Sequence, residues 1–475
     1  MFPLAIRLLA PVLAALALAP AASAAGPLLT AVAEHDEFNR PDTELALERI
    51  RKAGASAFRA DLKWYEVAPR TRPAAWRADD PGDPNYRWQR LDEKVRLLVQ
   101  HGLQPILAMD SPPDWAKQGD QAPADPAEVG RFLRAAGLRY SGRFEGLPRV
   151  RYWQVWIEPN VNKFFNPQFA NGKLVAPIRY RRIVNAFSDA VHAVHADNLV
   201  IAGGLSPFTV KAGETRAIGP LRFMRELLCM SKGRAPRPTC RDQTRFDIWS
   251  HHPYTSGGPT HSAFNPDDVS LGDLPEMRAL LLAAVKARHA VSRHTVRFWV
   301  TEFSWDTNPP DPRALPVKLQ SRWVAEALYR MWKLGIGLVT WLQLRDGAYP
   351  GNDVQSGLYF RGATLQSDRP KATLTAFRFP FVAFRERRGI VVWGRAPGGA
   401  SARVLVEQKS GRGWVRLADL RSDRFGIFMR VLRPRASGGS LRARTVSTGA
   451  GALGGMSLAF SLNRPPDRFV NPFGG

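Results

Sequence analysis

Cysteine is almost absent from this chain: 475 residues contain two, Cys229 and Cys240. So few cannot build a disulfide-dense small fold, and with no histidine nearby they lack the ligand count of a zinc site. An even, sparse pair suggests one disulfide closing the loop from Met230 to Thr239, with two free buried thiols as the alternative. Nucleotide-binding signals are missing too. No Gly-x-Gly-x-x-Gly follows the first strand candidate and no P-loop occurs, which argues against dinucleotide- and NTP-binding folds. Acidic side chains are scarce, 42 against 67 lysines and arginines, for a formal net charge of +25. That excess suits an anionic partner such as an acidic polysaccharide. The cations form no long like-charge blocks, so the alternative is charge scattered over solvated faces, and nucleic acid is not expected.

Long apolar runs are confined to the N-terminus. Arg7 precedes an apolar stretch from Leu8 to Ala19, and Ala22-Ser23-Ala24 follows. This is the pattern of a secretory signal peptide over residues 1–24, so a secreted or extracytoplasmic protein without a membrane span is expected.

What is present is alternation. Strand-like runs occur at Leu28–Val32, Ala55–Arg59, Pro105–Met109, Arg151–Trp156, Leu199–Ala202, Phe246–Ser250, Arg297–Thr301 and Ile336–Leu342. Amphipathic segments lie between them, several ending at a glycine (Gly54, Gly102, Gly335) placed as a helix stop. Eight βα units predict a (β/α)8 TIM barrel over residues 25–383. After Pro370 the pattern changes to short strand-like runs split by Gly, Pro and Ser, which predicts a small all-β sandwich-like domain over 384–463. The Pro- and Gly-rich end, 464–475, reads as a loose tail.

In such a barrel the C-terminal strand ends converge on one mouth. Two of them end in a glutamate: Tyr152-Trp153-Gln154-Val155-Trp156-Ile157-Glu158-Pro159-Asn160 and Phe298-Trp299-Val300-Thr301-Glu302-Phe303-Ser304-Trp305. Two carboxylates from different strands are what cleavage of a glycosidic bond needs. Trp64, Trp115, Trp305 and Trp341 offer flat apolar faces for sugar rings. Asp110 follows the third strand candidate and is a further mouth residue.

Trp156-Ile157-Glu158-Pro159-Asn160 resembles the strand-four motif of clan A glycoside hydrolases, families 5 and 39 in particular. His252-Pro253-Tyr254 resembles their strand-six motif, Thr301-Glu302-Phe303 their nucleophile segment, Trp341 their strand-eight tryptophan and Arg59 their strand-two arginine. The resemblance spans the barrel. It implies a retaining glycoside hydrolase acting on a carbohydrate, with Glu158 as acid/base and Glu302 as nucleophile. Arg59, His252, Tyr254 and Asn160 would serve substrate or nucleophile, and neither cofactor nor metal is implied. One position departs: Ile157 stands where those families carry an asparagine that bonds the sugar 2-hydroxyl. Asn160, His35 and Asp110 are candidates to replace that contact. A catalytically silent, carbohydrate-binding barrel and a basic envelope-associated binding protein remain alternatives.

Overall fold

The computed structural model describes residues 26–117, 124–352, 354–397, 401–433, 438–446, 455–465 and 467–471. The expected signal peptide, 1–24, lies outside them. Eight parallel strands form the centre: β1 (Leu29–Ala33), β2 (Ala57–Lys63), β3 (Gln104–Asp110), β4 (Tyr152–Val155), β5 (Leu199–Leu205), β6 (Ile248–His251), β7 (Arg297–Phe303) and β8 (Ile336–Leu342). They close in the order β1-β8-β7-β6-β5-β4-β3-β2, a (β/α)8 barrel. The main surrounding helices are α1 (Thr43–Lys52), α2 (Gln89–Gln100), α3 (Pro126–Arg139), α4 (Ala176–Val194), α5 (Pro220–Leu228), α6 (Leu274–Lys286), α7 (Val317–Lys333) and α8 (Ala372–Arg378). The three glycines expected as helix stops all take positive φ, 86° at Gly54, 68° at Gly102 and 81° at Gly335.

Strand alternation divides the core in two. Ala31, Ala57, Ile106, Leu199, Ile201, Ile248, Trp299 and Leu338 fill the barrel interior. Their neighbours in sequence, such as Phe58, Leu107, Trp153, Val200, Trp249, Phe298 and Val339, face the helices. The interior is thus packed shut below the mouth, and ligands can reach only the strand ends.

The C-terminal region folds as two antiparallel sheets. One holds β9 (Phe381–Glu386), β10 (Gly389–Arg395) and β13 (Ile427–Leu432). The other holds β11 (Arg403–Ser410), β12 (Gly413–Arg421), β14 (Ser440–Val446) and β15 (Phe460–Ser461). β9 begins at Phe381, before residue 384, because α8 ends at Arg378 and the following Phe379-Pro380 cannot prolong a helix. Part of the segment expected to be loose is tied down: Val470 is buried and its N–H donates to the Ser256 carbonyl at 2.9 Å, beside the loop that follows β6. An apolar side chain with a pocket to enter overrides the Pro/Gly composition.

The β region is pinned to the bottom of the barrel by one buried cation. Arg395 on β10 donates to the carbonyls of Leu28 and Phe377 and to the Thr30 hydroxyl, at 2.8, 3.1 and 3.2 Å. Burial pulls its guanidinium down to about 10. Arg322 on α7 adds a second tie, bonding the Ser461 carbonyl at 2.8 Å and lying 3.9 Å above the Phe460 ring. Arg395→Met should cost about 3 kcal/mol, because it strands buried carbonyls at the seam. Urea-unfolding midpoints check this; a loss below about 0.5 kcal/mol would show that the seam does not depend on Arg395.

Candidate active site

Glu158 reaches the mouth through an unusual turn. Trp156 and Glu158 both adopt left-handed backbone, φ 66° and 40°. Such values are strained for large side chains and are held only where the surroundings enforce them. Trp156 is held by its N–H to Met109 and its indole N–H to the Phe164 carbonyl, 2.8 and 2.7 Å. The Glu158 N–H is fixed to Gly204 at the end of β5, 3.0 Å. The result turns Trp156 into the wall, exposes Ile157 to a cleft, and points the Glu158 carboxyl at the ring of His252, Oε1 to Nδ1 3.0 Å. A β-carbon on Gly204 would sit 3.2 Å from Gln154 Nε2 and 3.4 Å from His252 Nε2, so the missing side chain lets this cluster close.

Glu302 is re-aimed by a bulge. Val300 pairs with Val339, but Phe303 pairs with Trp341: three residues of β7 oppose two of β8. The extra residue breaks the alternation. Trp299 points into the barrel, yet Phe303, of the same parity, packs outward 6.0 Å from Trp341. Glu302 is thereby delivered inward. Its Oε1 accepts from the Tyr254 hydroxyl at 2.7 Å and its Oε2 from Arg59 at 3.3 Å. Arg59 is itself held by Gln154, Nε to Oε1 3.0 Å, whose amide donates to the Trp156 carbonyl at 3.1 Å.

One carboxylate oxygen from each glutamate and one ring nitrogen of His252 lie within 4.8 Å of one another. Burial pushes the Glu158 carboxyl above its usual range, His252 opposes this, and nearby Glu302 adds to it. Burial, then the Glu302 charge, raises the Tyr254 hydroxyl well above 10, so it remains a donor. His252 Nε2 is buried without a partner. That assigns the ring proton to Nδ1, where it donates to Glu158 Oε1 and leaves Oε2 for chemistry. Glu158, His252 and Glu302 have the donor types of a metal site. However, both Glu302 oxygens already accept hydrogen bonds, one from a guanidinium, and a cation there would meet that positive charge.

The other expected contact residues divide. Asp110 lines the cleft beside Ile157 and is gripped by Lys63, Nζ to both oxygens at 3.0 and 2.9 Å. Asn160 is fully buried and spent on structure: it donates to the carbonyls of Ser206 and Ile218 and accepts from the Ser206 N–H. It staples the loop after β4 to the loop after β5 and has no face toward the mouth. The four tryptophans are not platforms at the mouth. Trp64 is stacked on Phe132 at 4.9 Å in the core. Trp115 packs edge-on to Trp64 and Trp76 and donates to Pro69. Trp305 packs on Phe303 and Trp323. Trp341 is 1% exposed, with its indole N–H on the Ser356 carbonyl. Leu338 faces the interior, so Trp341, three residues on, faces the helices. Cys229 and Cys240 form the expected disulfide, Cα atoms 5.3 Å apart.

Gln154, Lys63 and the bulge were not anticipated. Gln154 had a visible signal: one amide in an otherwise apolar strand that faces a packed interior needs a partner.

Glu37, just after β1, is a buried carboxyl outside the glutamate pair. Burial pushes it up to about 7, against the pull of the His35 N–H. A folded-state value above the ordinary one means the stabilisation is present at low pH and lost as pH rises through about 7. Glu37→Gln should therefore gain stability relative to the parent by up to about 3 kcal/mol at pH 8, with little gain at pH 4.5. Unfolding curves at both pH values check it; equal effects at the two would assign the difference to packing.

No protein-family model matches the chain, and no curated protein matches it. Solved structures similar to it include a glucosidase from Croceicoccus marinus, 14% identical over 82% of this chain and 89% of that one, TM-score 0.46. A GH30 endoxylanase from Clostridium papyrosolvens C71 is 11% identical over 86% and 93%, TM-score 0.43. A family 1 β-glucosidase from Thermotoga maritima is 13% identical over 74% and 96%, TM-score 0.44. No helix among the described residues is long and apolar enough to cross a membrane.

Proposed function

We propose that this protein is a retaining glycoside hydrolase. The observation that carries the reading is the glutamate pair: two inward carboxylates on β4 and β7 ends with oxygens inside 4.8 Å, in unlike surroundings. Retaining enzymes hold their carboxyl groups about 5–5.5 Å apart, and inverting ones leave room for a water between them. Glu158, raised by burial, suits the proton donor. Glu302, oriented by Tyr254 and Arg59, suits the nucleophile. In the first step a Glu302 oxygen bonds the anomeric carbon as the glycosidic bond breaks, and the Glu158 proton goes to the leaving oxygen. In the second, Glu158 takes a proton from water, which displaces Glu302 and restores both groups.

Ile157 leaves no amide beside the sugar, and Asn160 is committed elsewhere. Asp110, lining the same cleft, is the remaining candidate from that set with a place there. The apolar leader and the single disulfide support export as part of this reading. The test is the configuration of the first product. NMR of a substrate found by screening polysaccharides should show the anomer of the starting linkage before mutarotation; the opposite anomer would refute the double displacement.

A further inference from the structure

Beside Ile157 opens a cleft of about 920 Å³, walled by the loops after β2, β3 and β4 and by one face of α2. Its charge is lopsided. Seven lysines and arginines line it against four carboxylates. Three of the cations are paired: Lys63 with Asp110, Lys94 with Glu34, Lys117 with Asp114. Among the described residues, Arg70, Arg87, Arg90 and Lys163 have no carboxylate partner. Glu66 is, among the described residues, the one lining acid without a cation, and it accepts from the Tyr65 hydroxyl at 3.4 Å. Arg87 is also pre-positioned, its Nη2 bonded to the carbonyls of Tyr65 and Ala68, which fixes the guanidinium while leaving other donors unused.

The four tryptophans expected as sugar platforms are packed away from the cleft, and the rings it exposes are Tyr65 and Phe164, the latter with Lys163 Nζ 5.6 Å over it. Beside those rings the cleft offers a ligand the charges of Arg70, Arg87, Arg90 and Lys163, and its lining reaches Ile157, the residue before Glu158.

From these observations we propose that the saccharide occupying this cleft is anionic, carrying carboxylate or sulfate groups on the units next to the cleavage point. The proposal rests on the glycosidase reading of the same mouth and names its substrate class. Overall charge alone would draw polyanions to any face of the protein, so the cations of the cleft must be separated from the rest.

The experiment uses the full chain carrying Glu302→Gln, and binding of hexasaccharides by calorimetry at 0.15 M salt. The probes are oligogalacturonate for carboxylate, a carrageenan oligomer for sulfate, and cellohexaose as neutral reference. One acidic hexamer should bind at least about tenfold tighter than cellohexaose, and which one identifies the group. Arg70→Ala with Lys163→Ala should weaken that binding about fivefold. Arg412→Ala with Arg416→Ala, equal in charge but on the C-terminal β region, should change it less than about twofold. Cellohexaose binding as tightly, or both double variants losing equally, would overturn the proposal. Selective acidic binding without turnover by the parent protein would sink the hydrolase reading alone. Turnover of a neutral glycan indifferent to the cleft pair would sink the anionic reading alone.

Discussion

Glu302→Gln is expected to abolish turnover, lowering kcat by at least about four orders of magnitude on every substrate the parent protein cleaves. That corresponds to more than about 5 kcal/mol of lost transition-state stabilisation. The amide keeps the size of the side chain and can still accept the Tyr254 hydroxyl, so fold and binding should survive. What it lacks is an oxygen able to bond the anomeric carbon. Retained far- and near-UV circular dichroism, with unchanged ligand affinity, would separate loss of chemistry from loss of structure. A variant within tenfold of the parent would remove Glu302 from the reaction.

The second large effect depends on the leaving group. Glu158→Ala should cost about a thousandfold on an alkyl glycoside or polysaccharide, whose departing oxygen needs a proton. On a dinitrophenyl glycoside, whose phenolate leaves unaided, glycosylation should be nearly unimpaired. Hydrolysis of the intermediate should then limit the rate, visible as a burst of phenolate. The pH profile should change as well. Because burial raises the Glu158 carboxyl, kcat/KM of the parent should fall as pH rises through that shifted value and the proton is lost. With the dinitrophenyl substrate the variant should lack this alkaline limb. Equal losses on both substrates would mean that Glu158 positions sugar rather than moving a proton.

Much of this site is legible in the sequence alone. Parallel barrel strands are buried on both faces and read as apolar runs, so their polar C-terminal ends stand out, and β8 was read from Ile336 to Leu342 as found. What the sequence could not reveal is direction. Trp341 and Glu302 are both strand-end residues, but one faces the helices and the other the mouth. The difference lies in the register shifts between β7 and β8, the second of which places an extra residue of β7 between Val300 and Phe303. Asn160 misled for a related reason: its motif position suggested sugar contact, whereas two carbonyls and an N–H on the neighbouring loops claim its whole side chain. The positive cleft was invisible too. Net charge announced an excess of arginine, but not that Arg70, Arg87 and Arg90 line one cleft with Ile157 while Glu407 and Asp419 neutralise others on the β region.

The central claim is that the sugar is transiently bonded to Glu302. The most direct measurement is a mass spectrum of the protein after incubation with a dinitrophenyl 2-deoxy-2-fluoro glycoside of the sugar it hydrolyses. Fluorine at that carbon slows release of the intermediate more than its formation. The account predicts one added glycosyl mass, located by peptide sequencing on Glu302 and absent from Glu302→Gln. A label on Glu158 or any other residue, or steady turnover of ordinary substrate with no label at all, would contradict it.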